Sequence, residues 1–317
     1  MRRRAFLLVA AASPAWATET WRIVTEYPAT SMPGEGVAYF ADALNRAAAG
    51  LTLMPGYDAP DGLKSAAMPG AVAAGQVQAA DAFTGALADA TPLFQLSALP
   101  FLTASAADTV RLLHFARPAY TEALAALGLT LLYATPWPAT GLWSRTPVID
   151  AAALQGLRVR TYDAASTAVL RGAGAAPEQI SFAAALLRLR DGSLDAVLSS
   201  GDGGAGARLW EVLPHFTVLD YASPLSLAFC GTAVLAALPD RTQDAIRTAA
   251  AQTETRQFNA IRTRTAENAA RLAANDVTVA PGAALRTALL LHAEPVVAAW
   301  AAKAGPDAAA ALRAYRG

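Results

Sequence analysis

The stretch Gly201-Asp202-Gly203-Gly204-Ala205-Gly206 fits the pattern G-x-G-x-x-G, after the strand-like Ala196 to Ser200 and before the helix-like Ala207 to Leu213. A glycine run placed so lets backbone N–H groups approach a pyrophosphate, and Asp220, about twenty residues beyond the first glycine, stands where a dinucleotide fold holds its ribose-binding acid. That reading predicts an exported oxidoreductase with a nucleotide cofactor. Against it, the crossover helix would have about two turns, and the run comes late in the chain. The competing reading is a flexible strand-to-helix turn. A second grouping is Leu157-Arg158-Val159-Arg160-Thr161. Strand alternation turns Arg158 and Arg160 to one face, and an arginine at a strand end beside a cleft binds a carboxylate through two parallel hydrogen bonds. Taken alone, this segment fits a solvated edge-strand arginine better.

Other chemistries find little support. His114, His215 and His292 are far apart in sequence, without H-E-x-x-H spacing or a second cysteine, so no metal site is expected. Cys230 sits between Phe229 and Gly231, where an inert buried thiol is expected. No G-x-S-x-G elbow and no Walker sequence occurs. With 25 Lys+Arg against 25 Asp+Glu, the chain lacks the basic surplus a nucleic-acid binder needs. Only Lys64 and Lys303 are lysines, so the cations are almost all forked guanidinium donors. At 54% apolar and 16% charged, the composition excludes intrinsic disorder.

The elements that must position such residues alternate along the chain. Strands are expected at Trp21 to Thr25, Leu51 to Pro55, Leu129 to Ala134, Leu157 to Thr161, Ala196 to Ser200 and Val277 to Val279. Amphipathic helices are expected at Gly36 to Ala48 and Thr109 to Leu127. Alternation of this kind predicts an α/β fold, with ligands at the carboxyl ends of strands. Between Pro239 and Pro281 there is neither Gly nor Pro, and Asp240 to Asn275 reads as one helix of roughly 50 Å, long enough to brace two domains. The uncharged stretch Tyr221 to Pro239 is broken by Ser223, Pro224 and Gly231, and reads as a buried strand followed by a helix start rather than a membrane span. The clusters Pro55 to Gly62 and Thr135 to Gly141 read as loops.

At the amino terminus, Arg2-Arg3-Arg4, the apolar run Ala5 to Ala12 and the small-residue site Ala15-Trp16-Ala17 predict a secretory signal cleaved after Ala17. The paired arginines fit either the general or the twin-arginine export route.

Several motifs taken together resemble one family. Leu154-Gln155-Gly156-Leu157-Arg158-Val159-Arg160 is similar to the L-K-G-L-K-I-R segment of the solute-binding proteins of tripartite ATP-independent periplasmic (TRAP) transporters. Leu99-Pro100-Phe101-Leu102, Gly174-Ala175-Ala176-Pro177, Ser181-Phe182, Leu187 to Asp195, Leu209-Trp210-Glu211-Val212 and Leu238-Pro239-Asp240 follow the family's order. The resemblance implies a periplasmic binding-protein-like fold of two α/β domains joined by crossing strands and a long bracing helix. The domains would be 18–138 with about 223–255, and 139–222 with about 256–317, after a signal peptide at 1–17. It implies no catalysis and no cofactor; the partners would be a small carboxylate and the membrane subunits of a transporter, and the location the periplasm. A sensor feeding a signalling partner is a further alternative.

Carried over by position, Arg160 takes the place of the family's carboxylate-binding arginine and Phe182 that of an aromatic packed on the ligand. Glu26 and Phe83 fall at ligand-contacting positions, and Ser199 stands where most members have asparagine. A second arginine found in some members is missing, its place falling near Thr140. An unmatched second carboxylate in a closed cleft would cost several kcal/mol. The expected ligand is therefore a monocarboxylate whose remainder is apolar, aromatic or cationic, packed by Phe83, Phe182 and Trp137 or Trp143.

Overall fold

The structure is a computed structural model that describes residues 19–47 and 49–317. The signal segment expected at 1–17 lies outside them. In chain order the strands are β1 (Glu19–Thr25), β2 (Leu51–Gly56), β3 (Ala79–Phe83), β4 (Leu129–Pro136), β5 (Thr140–Ser144), β6 (Arg158–Thr161), β7 (Ala176–Gln179), β8 (Ala196–Ser200), β9 (His215–Val218), β10 (Leu225–Gly231) and β11 (Thr278–Pro281). The helices are α1 (Met32–Ala47), α2 (Met68–Ala73), α3 (Ala106–Ala126), α4 (Ala164–Gly172), α5 (Phe182–Arg190), α6 (Gly201–Gly206), α7 (Thr232–Ala236), α8 (Asp240–Ala273), α9 (Ala283–Lys303) and α10 (Gly305–Arg316).

Two mixed sheets result, ordered β2-β1-β3-β10-β4 and β11-β9-β5-β8-β6-β7. The chain crosses between them three times, twice directly between strands and once through α7 and α8 from β10 to β11. It leaves β4 at Pro136 and enters β5 at Thr140, and it returns from β9 to β10 through 219–224. The stretch Thr135 to Gly141, expected as a loop, is thus mostly strand, with only Trp137-Pro138-Ala139 between β4 and β5. Each sheet accepts its crossing strand antiparallel: β10 against β3 and β4, and β5 against β8 and β9. The uncharged stretch expected to be a strand and a helix start is β10 followed by α7. No helix among the described residues is long and apolar enough to cross a membrane.

Local chemistry sets several boundaries. Ser105 caps α3, accepting from the Asp108 N–H while the Asp108 carboxylate accepts from the Ser105 N–H, and Asp163 caps α4 in the same reciprocal way with Ser166. Helix α8 runs uninterrupted for 34 residues after Pro239. Its first half packs Ile246, Ala249 and Ala250 into the core under the first sheet, and Leu272 near its end joins the core of the second. Long as it is, it is held by packing rather than by a strongly apolar face.

The last helices cross back. Leu285, Leu289 and Ala293 of α9 pack in the second core, but Val297 and Trp300 of α9, with Leu312 and Tyr315 of α10, pack in the first. Trp300 Nε1 donates to Pro92 O at 2.8 Å and the Tyr315 hydroxyl to Leu102 O at 3.0 Å. The expectation that everything after about 256 belongs with the second sheet is corrected for this tail, whose large apolar residues are buried against α3 and the segment before it.

Candidate functional site

The carboxyl ends of strands from both sheets converge on one cavity. Its walls are Tyr27, just past β1, and Phe83, closing β3; Trp137, Thr140 and Pro224 from the crossings; Arg160 of β6 and Tyr162 just past it; Phe182 opening α5; and Ser199 and Ser200 closing β8. The enclosed space among them is small, about 30 Å³, and reaches roughly 330 Å³ only when the part open to solvent is counted. Six of the seven sequence-expected residues, Arg160, Phe182, Phe83, Ser199, Trp137 and Thr140, are therefore brought together.

Arg160 is 5% exposed and is held from behind. Its Nε donates to Ile180 O at 2.9 Å and Nη1 to Leu198 O at 3.2 Å, whereas Nη2 makes no hydrogen bond to a described residue. Two backbone carbonyls thus fix the guanidinium plane and leave part of the fork for an acceptor in the cavity. The guanidinium lies 5.6 Å from the Phe182 ring centre and 5.9 Å from that of Tyr162. Burial pulls its pKa below the ordinary arginine value, with Tyr27 and Glu26 opposing the shift. It is the only cation among the described residues lining the cavity. Arg158, on the same face two residues earlier, is instead an exposed partner of Asp195, with contacts of 2.7 and 2.6 Å.

Aromatic rings close the cavity from both sides. Tyr27 meets Trp137 edge-on at 4.7 Å between centroids and Phe182 at 5.7 Å, and Phe83 meets Tyr162 edge-on at 5.2 Å. Two of these pairs join a residue beside the first sheet to one of the second. Trp137 is anchored by its Nε1, which donates to Ser226 Oγ at 3.0 Å.

Glu26 does not line the cavity. It is 4% exposed; Oε2 accepts from the Ser65 N–H at 2.9 Å and Oε1 from the Ala183 N–H at 3.1 Å, in the first turn of α5. Trp143 stands behind the wall, fully buried, donating to Ser200 O at 3.0 Å.

The glycine run explains itself at that wall. Gly201–Gly206 is not a loop leading into a helix: it is the helix α6, and Ala207 to Leu213 holds only a short 3-10 turn. A Cβ at Gly204 would collide with the Trp143 indole, and one at Gly203 would meet Ser199 Oγ at 2.6 Å. Glycine is required because α6 lies flush on Trp143. Asp202 is fully buried, Oδ2 accepting from the Met32 N–H at 2.7 Å and Oδ1 from Arg264 Nε at 2.5 Å. The run is thus a buried helix packed on Trp143 rather than an open phosphate-cradling turn, which does not favour the dinucleotide reading. Asp220, expected as its ribose acid, lies 3.9 Å from Arg286 at the start of the return crossing.

The histidines lie apart on α3, β9 and α9, and no metal-holding cluster occurs among the described residues. Cys230 is buried in β10 and burial pushes its thiol up to about 12, which keeps it unreactive.

Four wall residues were not expected: Tyr27, Tyr162, Ser200 and Pro224. Tyr27 follows Glu26 directly, and Tyr162 stands two residues past Arg160 on the same strand face, so alternation extended one step would have found it. Pro224 carries no sequence signal for its place.

Comparison with known proteins bears on this geometry. Residues 23–303 match the family described as bacterial extracellular solute-binding protein, family 7. An extracytoplasmic solute receptor of Bordetella pertussis that binds pyroglutamic acid is 28% identical with a TM-score of 0.89, covering 94% of this chain and 99% of its own. A second such receptor of that organism, also binding pyroglutamic acid, is 26% identical with a TM-score of 0.87 over the same shares. A marine metagenome TRAP solute-binding protein specific for pyroglutamate is 27% identical with a TM-score of 0.88, again over 94% and 99%. No curated protein matches the chain. With its two mixed sheets, crossing strands and bracing helix, the chain belongs to the bacterial extracellular solute-binding proteins of family 7, the solute-binding proteins of TRAP transporters.

Proposed function

We propose that this protein captures a small monocarboxylate outside the cytoplasm and presents it to the membrane subunits of a TRAP transporter. The observation that carries the reading is Arg160, the one cation among the described walls of a ring-lined cavity, with donors left over after its two backbone bonds. A carboxylate docked there replaces water with charge-assisted hydrogen bonds in a low-dielectric site. Thr140, Ser199 and Ser200 offer neutral polar contacts, and the rings take a compact, mostly apolar body. A second carboxylate would meet no cation and would be penalised on burial. A cyclic acid such as pyroglutamate, which relatives at 26 to 28% identity bind, has this shape and charge.

Capture needs no bond-breaking chemistry. The two sheet-centred units act as lobes that hinge at the crossings 136–140 and 219–224, with α8 running along both. The protein is made with a signal peptide at 1–17, cleaved after Ala17, and works in the periplasm.

A thermal-shift screen tests the reading, because a ligand of the folded state raises stability by mass action. Pyroglutamate and similar cyclic or apolar monocarboxylates should raise the midpoint, and C4-dicarboxylates should not. Arg160→Ala should cost about 2 to 5 kcal/mol of affinity for the acid so identified, as for loss of one partner of a buried charge pair. Unchanged affinity in that variant by calorimetry would overturn the site.

A further inference from the structure

Asp81 is a buried carboxyl that no fold contact explains. It lies in the middle of β3 with no solvent exposure, and neither Oδ1 nor Oδ2 accepts a hydrogen bond from a described residue. A carboxyl so placed is expensive to ionise. Burial pushes it up to about 8, and the Ser226 hydroxyl, close by but outside hydrogen-bond geometry, pulls it only partly back.

Strand register shows what surrounds it. Thr25, Asp81, Ala228 and Tyr133 form one row across β1, β3, β10 and β4, and Phe83, Ser226 and Thr135 form a second row across the last three. Paired residues share a face, so Asp81 looks across the small Ala228 toward Tyr133 and diagonally toward Ser226. The Tyr133 hydroxyl and Thr135 Oγ1 are also buried without partners. From the helices above, Gly36 of α1 and Gln257 of α8 close on Thr135, and Phe40 of α1 packs on the Tyr133 ring. Among the described residues, the ionisable groups that sense Asp81 are the phenols of Tyr27 and Tyr133, and no cation acts on it.

Ser226 connects this row to the cavity. Its Oγ accepts the hydrogen bond of Trp137 Nε1, which leaves its own proton to donate, and the unpartnered acceptors on that sheet face are the Asp81 carboxyl, diagonal to it and the only one that can carry charge, and Thr135 Oγ1 directly across. We propose that Asp81 is a positioning residue of the ligand site: through Ser226 it sets the orientation of the Trp137 indole, and its protonation state tunes the affinity for an anionic ligand. The inference rests on the carboxylate-receptor reading only for its second half. Ionising Asp81 places a negative charge behind the wall that an anion must approach, so affinity falls as pH rises through the range in which Asp81 loses its proton.

The first measurement needs no ligand. Intrinsic fluorescence of the full chain, corrected with a Trp137→Phe blank, is followed from about pH 6 to about pH 10. The Trp137 signal should titrate with a midpoint of about 8 and lose that transition in Asp81→Asn and in Ser226→Ala. Two variants on different strands guard against one that misfolds. Calorimetry with L-pyroglutamate over the same range should show affinity falling roughly threefold in the wild type and staying flat in Asp81→Asn. A Trp137 signal indifferent to pH, or a transition that survives in Asp81→Asn, overturns the positioning role. If the transition behaves as expected but pyroglutamate fails to bind at any pH, the positioning role stands and the ligand assignment falls.

Discussion

Arg160 and Asp81 show two ways for a charged residue to be buried in one site. The arginine stays ionised because two carbonyls take its back-side donors and aromatic faces lie beside it. The aspartate has no such support and holds its proton instead. This has a consequence for stability. The native carboxyl titrates at about 8, against an ordinary 3.8, so between those values the folded state binds more protons than the unfolded chain. Stability from this group is therefore fully present below 3.8 and is lost as pH rises toward about 8. Asp81→Asn, which cannot ionise, should remove that slope and be more stable than the wild type at pH 9, by on the order of a few kcal/mol at most. Denaturant melts of both proteins at several pH values check this; parallel curves would refute it. Arg160 was legible in the sequence because the family motif reversed the solvated-edge reading that the strand segment alone favoured. Asp81 was not, because the surrounding alanines of β3 hid the strand and nothing in Ala79-Ala80-Asp81-Ala82 says which neighbours an aspartate will lack.

At the scale of elements, α6 converts a composition feature into a precise wall. The helix is six residues long, four of them glycine, and its stability comes from what it lies against rather than from propensity. Ser200 caps it by accepting from the Gly203 N–H at 3.0 Å, so the serines of the cavity are set by where α6 sits. Gly204→Ala should force α6 off Trp143, costing about 1 to 3 kcal/mol of stability and weakening ligand binding through Ser199 and Ser200. The first glycine of the run is the control: Gly201 has only distant neighbours, the nearest at 3.8 Å, and Gly201→Ala should leave both properties nearly unchanged. Equal effects from the two variants would mean that α6 is not held by this contact. The absence of Gly and Pro found the long helix α8, and local sequence also gave the strand before the glycines. Local sequence placed the helix after the glycines instead of on them, since a glycine-rich helix held by tertiary packing has no local signature.

At the scale of the molecule, the two sheets are tied together around the cavity and behind it. Behind it, Arg264 of α8 reaches Asp202 of α6, Glu35 of α1 at 2.9 Å and Thr30 O at 2.7 Å, joining three elements in one ion-paired knot. Near the cavity, Glu26 accepts from Ser65 beside the first sheet and from Ala183 beside the second. On the hinge motion proposed above, the Ala183 bond, which joins Glu26 beside the first sheet to α5 beside the second, would break on opening. A carboxylate at a helix N-terminus gains from both the free N–H and the helix dipole. Glu26→Ala should thus favour the open form, weakening every ligand of the site by about tenfold through faster dissociation, with little change in association. Scattering from the liganded variant should show a larger radius of gyration than the liganded wild type. A loss confined to one ligand, with compaction intact, would instead make Glu26 a direct ligand contact, as its place in the family pattern suggests.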